Sequence, residues 1–291
     1  MQRCMPTHLY GMARMASGGF DPVSDMRPPL ADGATRIYGI IGDPIAQVKS
    51  PTVFNEKFRA LGKNAVMIPL HAERSNFDLC MQGLKSLANL DGILVTLPYK
   101  NSVIAHVDDV LPAAKRIGAI NALRREANGR WSGDMFDGKG FIRGMRASEL
   151  DPKGLAIMLI GAGGAGSAIA DALAEAGAAK ITIFDLDEDR SRTLADRVAR
   201  SHPNCTAQPG PPTLAGKDVL VNATPTGMSR GDGLPAEVGR LDDRLFVADI
   251  VPRPEITPLL ELAKRSGCKT MDGQAMVTGQ ADAILRFFGL L

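Results

Sequence analysis

From Arg36 onward, short apolar runs alternate with stretches whose apolar positions recur every three or four residues. "RIYGIIG" at 36–42 predicts a strand, and "PTVFNEKFRALG" predicts an amphipathic helix opening at Pro51, a favourable first-turn residue. "AVMIPL" predicts a second strand, "FDLCMQGLKSL" a second helix and "GILVT" a third strand. This βαβαβ order predicts a mostly parallel sheet with helices on both faces. Around "GAINALRREANGRWSG" the alternation tightens into a hairpin with Asn128-Gly129 at its turn. Helix–strand alternation then resumes through "LAIMLIG", "SAIADALAEAG", "AKITIFD", "EDRSRTLADRVAR", "DVLVNAT" and "RLFVADI". The chain reads as α/β, two α/β units meeting at a seam near residues 133–150, without repeats or low-complexity tracts.

Residues 1–34 break this pattern. They hold five of the 13 methionines, lack apolar periodicity and carry no acid before Asp21. They are expected to be a disordered tail, or an over-long start ahead of an initiator at Met26; no apolar core of a secretory signal is present. Composition mostly excludes. With 34 basic against 32 acidic side chains, nothing in the charge calls for nucleic acid or an anionic membrane. No apolar run approaches the roughly 18 residues of a bilayer span. Cys4, Cys80, Cys205 and Cys268 form no CxxC, so neither a metal site nor a disulfide framework is expected, and a cytoplasmic location suits them.

One motif carries chemistry by itself. Gly161-x-Gly163-x-x-Gly166 follows a predicted strand and opens a predicted helix. Such glycines allow a tight turn, close approach of backbone to a pyrophosphate, and close helix–strand packing. The bland alternative is a packing turn without a ligand. An acid at the end of the next strand, Asp185, completes the fingerprint of a Rossmann-like dinucleotide domain. A carboxylate there accepts ribose hydroxyls and repels a 2′-phosphate, and Arg190 and Arg192 follow three acids. NAD rather than NADP is therefore the expected cofactor.

Eight segments in order resemble the shikimate dehydrogenase family, quinate/shikimate dehydrogenases included: "GDPIAQVKSPTVFNEKF", "VTLPYK", "GAINAL", "GDMFDGKGF", "GAGGAG", "NATPTGM", "DIVPRPEITPLLELAKRSG" and "DGQAMVTGQADAILRFFG". The resemblance spans residues 36 to 289. It implies a substrate domain at 35–136 joined by 273–291, a dinucleotide domain at 137–272, and an active site in the cleft between them. It implies oxidation of a ring hydroxyl of a shikimate- or quinate-like acid, with Lys100 and Asp137 catalytic. Ser50, Thr96, Asn121 and Gln280 match the substrate-binding positions. Gly161, Gly163, Gly164, Ala165, Gly166, Asp185, Asn222, Thr224 and Met276 are the candidate cofactor positions. A small-molecule substrate is the expected partner, and a homodimer the assembly considered.

The chemistry agrees with those assignments. Hydride leaves a carbinol carbon only if its hydroxyl proton is removed, and an amine can take that proton while an ammonium returns it. An ordinary lysine titrates near about 10.4, so a desolvating cleft or a relay is needed near neutrality. His8, His71, His106 and His202 all lie outside the motifs. Alone, Lys100 reads as a solvated lysine and Asp137 as a loop acid or helix cap.

Several positions depart from the family pattern. Val48 stands where one of two carboxylate-holding serines is usual, leaving Ser50; Leu94 replaces a substrate-contacting asparagine. Met135-Phe136 replaces "NT" before Asp137, Phe54 a histidine and Val251 a tyrosine. Each lost hydrogen bond costs roughly 1–3 kcal/mol for the usual substrate. Lys49, turned inward, would supply a replacement charge. The alternatives are a dehydrogenase for a modified cyclitol acid such as an aminoshikimate, or a dinucleotide-binding sensor, which would need neither Lys100 nor Asp137.

Overall fold

The structure, a computed structural model, describes residues 31–291. The expected tail, as far as residue 30, lies outside the described residues; Asp32 and Thr35 form a turn held to Asn64. The first lobe runs β1 (Arg36–Gly42), α1 (Ser50–Ala60), β2 (Ala65–His71), α2 (Phe77–Ser86), β3 (Leu90–Val95), β4 (Asp109–Val110), α3 (Pro112–Ile117), β5 (Ala122–Arg125) and β6 (Trp131–Asp134), and α4 (Asp137–Ala147) follows as the link, its Phe141 and Met145 buried in the core of the second lobe. The second runs β7 (Ala156–Ile160), α5 (Gly164–Glu175), β8 (Lys180–Phe184), α6 (Glu188–Ser201), β9 (Thr206–Pro209), β10 (Val219–Asn222), β11 (Phe246–Asp249), α7 (Pro258–Arg265) and β12 (Lys269–Met271). The final helix, α8 (Gly273–Phe287), returns to the first lobe.

Sheet order explains where chemistry gathers. The first sheet is β2-β1-β3-β5-β6-β4, parallel through β2-β1-β3 and antiparallel at β3-β5-β6. The segments leaving β1, β3 and β6, and the one entering β5, therefore emerge at one edge. The second sheet, β12-β11-β10-β7-β8-β9, is parallel throughout and reverses direction of build between β7 and β10. Ligands of open α/β sheets bind at such a switch point, beyond the strands' carboxyl ends.

Local sequence accounts for the helices that matter. Pro51 opens α1, and Phe54 and Phe58, one turn apart, bury one face of it against Tyr38 and against Phe287 and Phe288 from the end of the chain. Burying each phenylalanine contributes roughly 1.5–3 kcal/mol. Asp187 caps α6 through the Asp189 and Arg190 N–H groups, and Asp272 caps α8 through Ala275. Helices α4 and α8 cross almost backbone to backbone. A Cβ on Gly140 would sit 2.5 Å from the Met276 carbonyl oxygen, and one on Gly279 2.4 Å from that of Gly140. The crossing brings Asp137 and Gln280 to the same end of the cleft.

Candidate active site

The two sheet edges face each other across a cleft of about 1200 Å³. Lys100 follows β3, Asn121 enters β5, and Asp137 begins α4 after β6. These side chains, distant in sequence, meet. Lys100 Nζ donates to Asp137 Oδ2 at 2.5 Å, and Asn121 Nδ2 donates to Asp137 Oδ1 at 2.8 Å. Asn121 also donates to Gln280 Oε1 at 2.8 Å and accepts the Phe136 N–H at 2.9 Å. Its amide is thus spent inside the protein: it holds Asp137 and turns the Gln280 NH₂ group outward. The Asp137 side chain is only 2% exposed and that of Lys100 14% exposed. An ion pair so enclosed can orient a donor toward a ligand without losing its charge to solvent. Ser50 and Thr96 line the same end and make no side-chain hydrogen bond among the described residues.

Tyr99 anchors the lysine's segment, stacking on Phe77 at 4.0 Å and donating its hydroxyl to the Ala72 carbonyl at 2.5 Å. Nothing in the hydrophobic pattern singles it out. On the opposite wall, Gly161 turns with φ 104° and hands the chain to α5. Helix α5 carries no side-chain cap, so its first N–H groups face the cleft. A Cβ on Gly163 would meet nothing within 4 Å, leaving a concave bed beside those N–H groups. A dinucleotide pyrophosphate fits this arrangement of donors and space. Ala165, Thr224 and Met276 also line the cleft.

Three of the cofactor candidates make their contacts within the protein, Gly166 in the helix–strand packing that the fingerprint includes. Gly166 packs against the backbone just past the end of β7: a Cβ there would be 2.0 Å from the Gly161 oxygen. Asn222 is fully buried, bonding to Thr224, Thr226 and Asp249, so it shapes the 222–226 loop and does not reach the cleft. Burial pushes the Asp249 carboxyl up despite its bonds from Val251, Thr257 and Asn222. Asp185 lines the cleft, but its Oδ2 accepts the Ala162 N–H at 2.7 Å and its Oδ1 that of Asp187 at 3.0 Å. Its carboxylate ties the glycine turn to α6. Arg190 lines the cleft beside it, and so does Arg197, which donates to the Ile117 carbonyl and Ser167 Oγ. Both sit within an ordinary amphipathic helix: Arg190 was discounted in the sequence because it follows three acids, and Arg197 did not stand out there.

The departures from the family pattern divide. Val48, Phe54, Leu94 and Val251 line the cleft, giving it an apolar wall. Met135 and Phe136 lie in the hydrophobic cores, where their side chains fill space. Lys49 lines the cleft, half-buried, and forms no ion pair among the described residues.

Comparison with known proteins places this geometry. Residues 40–123 match the model of the shikimate dehydrogenase substrate-binding domain, and residues 146–264 that of shikimate/quinate 5-dehydrogenase. Shikimate dehydrogenase (NADP(+)) of Rubrobacter xylanophilus is 36% identical over 88% of this chain and 91% of its own. Among solved structures, ligand-free 5-ketofructose reductase of Gluconobacter sp. strain CHM43 superposes with a TM-score of 0.75 at 30% identity, over 87% of this chain and 92% of that one. Shikimate 5-dehydrogenase of Listeria monocytogenes, in complex with shikimate and NAD, superposes with a TM-score of 0.78 at 28% identity, over 89% and 93%. The expectation of NAD is overturned here, because five further curated relatives also carry the name shikimate dehydrogenase (NADP(+)). Asp185, on which that expectation rested, is engaged by backbone donors at both oxygens. With both halves matched to the family's models and nearly its whole length to a named member, the chain belongs to the shikimate dehydrogenase family of oxidoreductases.

Proposed function

We propose that the chain is an NADP-linked dehydrogenase of a small cyclic hydroxy acid of the shikimate or quinate type. The observation that carries this reading is the Lys100–Asp137 pair, enclosed at the junction of the two lobes and facing the glycine turn across one cleft. Lys100, as the neutral amine, takes the proton of the substrate hydroxyl in oxidation and, as the ammonium, returns it in reduction. Asp137, held by Asn121, aims the amine. Ser50, Thr96 and the outward NH₂ of Gln280 offer hydrogen bonds to the substrate's other oxygens. When bound, the nicotinamide supplies the hydride acceptor or donor. The N–H groups of Gly163, Gly164 and Ala165 would hold its pyrophosphate, and Arg190 its 2′-phosphate. Residues 35–136 with 273–291 serve as the substrate domain and 137–272 as the dinucleotide domain.

A second reading is favoured by the apolar wall of Val48 and Leu94 together with the likeness to 5-ketofructose reductase. Under it, the substrate is an uncharged polyhydroxy ketone that needs no carboxylate grip. One experiment separates the readings: initial rates with shikimate, quinate and 5-ketofructose, each with NADP(H) and NAD(H). Turnover of the acids with NADP supports the first reading, turnover of the ketose alone supports the second, and turnover of none defeats both. Arg190→Ala should weaken NADP about tenfold, the low end for a charged hydrogen bond because the arginine is largely exposed. Equal NADP binding in that variant would remove Arg190 from the site.

A further inference from the structure

The four glycines of the turn are glycine for different physical reasons. Gly161 needs its positive φ, Gly166 touches the backbone of Gly161 at the end of β7, and Gly163 leaves open space beside the helix N–H groups. Gly164 occupies a position of the fingerprint that tolerates side chains. It is also the first residue of α5, where alanine would ordinarily stabilise the helix. Yet a Cβ there would lie 2.9 Å from Lys100 Cβ and 3.4 Å from its Cδ. The added methyl would meet the root of the lysine side chain, which cannot swing aside as its tip can.

The lysine's segment has little freedom to retreat. The Tyr99 hydroxyl is bonded to the Ala72 carbonyl, the Ile120 N–H donates to the Lys100 carbonyl at 2.7 Å, and Asn101 Nδ2 donates to that of Gly118 at 2.8 Å. Beyond Cδ, Nζ is fixed on Asp137 at 2.5 Å. We propose that Gly164 is a positioning residue for proton transfer: the dinucleotide turn is the surface on which the Lys100 stem rests, and a bare backbone there sets the reach of Nζ. This rests on Lys100 being the proton-transfer group.

The test pairs two alanines on the same turn. Gly163→Ala places its methyl in the space left for the dinucleotide, so NADPH binding, followed by its fluorescence, should weaken; it is the comparison for a loss that acts through binding. Gly164→Ala places its methyl against Lys100. Alanine keeps the Gly164 N–H, so NADPH binding should weaken less than in Gly163→Ala and the KM for substrate should change little, whereas turnover at saturating NADPH falls about 10²-fold, as for a displacement of about 1 Å at a reacting group. Wild-type turnover in Gly164→Ala, or a loss fully explained by weaker NADPH binding, overturns the proposal. Lys100→Ala is measured alongside. If it keeps its turnover, the proton-transfer reading falls and this inference with it; if it loses turnover while Gly164→Ala does not, only the inference falls. Should Gly164→Ala fold poorly, the contact is read from thermal unfolding, where its loss of Tm must shrink in a Lys100→Gly background. An equal loss in both backgrounds overturns the proposal.

Discussion

Replacing Lys100 by methionine keeps most of the stem's volume and deletes the charge. What remains is the Asp137 carboxylate, 2% exposed, with Asn121 Nδ2 as its side-chain donor. Breaking a buried ion pair from one side costs about 3–5 kcal/mol, because the other charge is left without its partner. At about 2–4 °C per kcal/mol for a chain of this size, Tm should fall by roughly 6–20 °C. Turnover should fall by about 10²–10⁴ if the lysine is the proton carrier. At about 1.36 kcal/mol per decade, that is roughly 3–5 kcal/mol of barrier. The two losses have separate origins and can be parted. Lys100→Met combined with Asp137→Asn removes the stranded charge, so most of the stability should return while turnover stays at the floor. Urea unfolding and initial NADPH-linked rates on the two variants decide the matter. Near-wild-type turnover in Lys100→Met would sink the proton-transfer role, and unchanged unfolding would show that the pair is not enclosed as described.

Three further predictions concern other parts of the molecule. Val48→Ser with Leu94→Asn should lower the KM for shikimate by restoring polar groups to the cleft wall, at roughly 1–3 kcal/mol per hydrogen bond; steady-state kinetics showing no change would place the substrate's carboxylate elsewhere. Burial raises the Asp171 carboxyl, but Arg116 and His202 outweigh it and hold the group below its ordinary value. A lowered folded-state value adds stability above the ordinary carboxylate range, lost as pH falls through the lowered value. Asp171→Asn should therefore cost about 1–3 kcal/mol at neutral pH, discounted because Arg116 is more than a third exposed, and flatten the acid limb of Tm against pH; an unaltered limb speaks against this. Phe58→Ala, at a fully buried position whose ring centroid is 5.1 Å from that of Tyr38, should cost about 3–5 kcal/mol in urea unfolding.

Much of this architecture is legible in the chain because period and punctuation agree. The strands of both sheets that run through a core are continuous apolar runs, and α1 announces itself by Pro51 and the Phe54/Phe58 spacing. Of the elements that escape, α4 is long, but Gly138, Gly140 and Gly144 interrupt its apolar pattern, and the others are short or marginal. β9 contains exposed residues and ends at Pro209, and β12 has three residues, too few for any periodicity. Helix α3 does carry signals, Pro112 at its start and a left-handed Gly118 at its end, but is only six residues long. The glycine of the Asn128-Gly129 turn adopts the left-handed conformation, while the loop closes more widely, with the Glu126 N–H donating to the Arg130 carbonyl at 2.8 Å. At the site, residue identity told more than residue use. Asparagine at 121 and 222 and aspartate at 185 all read as ligand contacts, yet their hydrogen bonds go chiefly to the protein. A motif records that a polar group is required; which partner consumes it is decided by elements far away in sequence, such as α8 reaching Asn121 through Gln280.

The return of α8 to the first lobe has a consequence for biosynthesis. Domains ordinarily fold as they emerge from the ribosome, amino-terminal unit first. Here the core around Tyr38, Phe54 and Phe58 lacks Ala281, Ile284, Leu285, Phe287 and Phe288 until the second lobe has been translated. The nascent first lobe must wait, with an apolar face open, for partners encoded at the far end of the message. Synthesis interrupted after β12 would yield a second sheet able to form beside a first lobe that cannot close, and a cell would meet such a product as a substrate for chaperones and proteases.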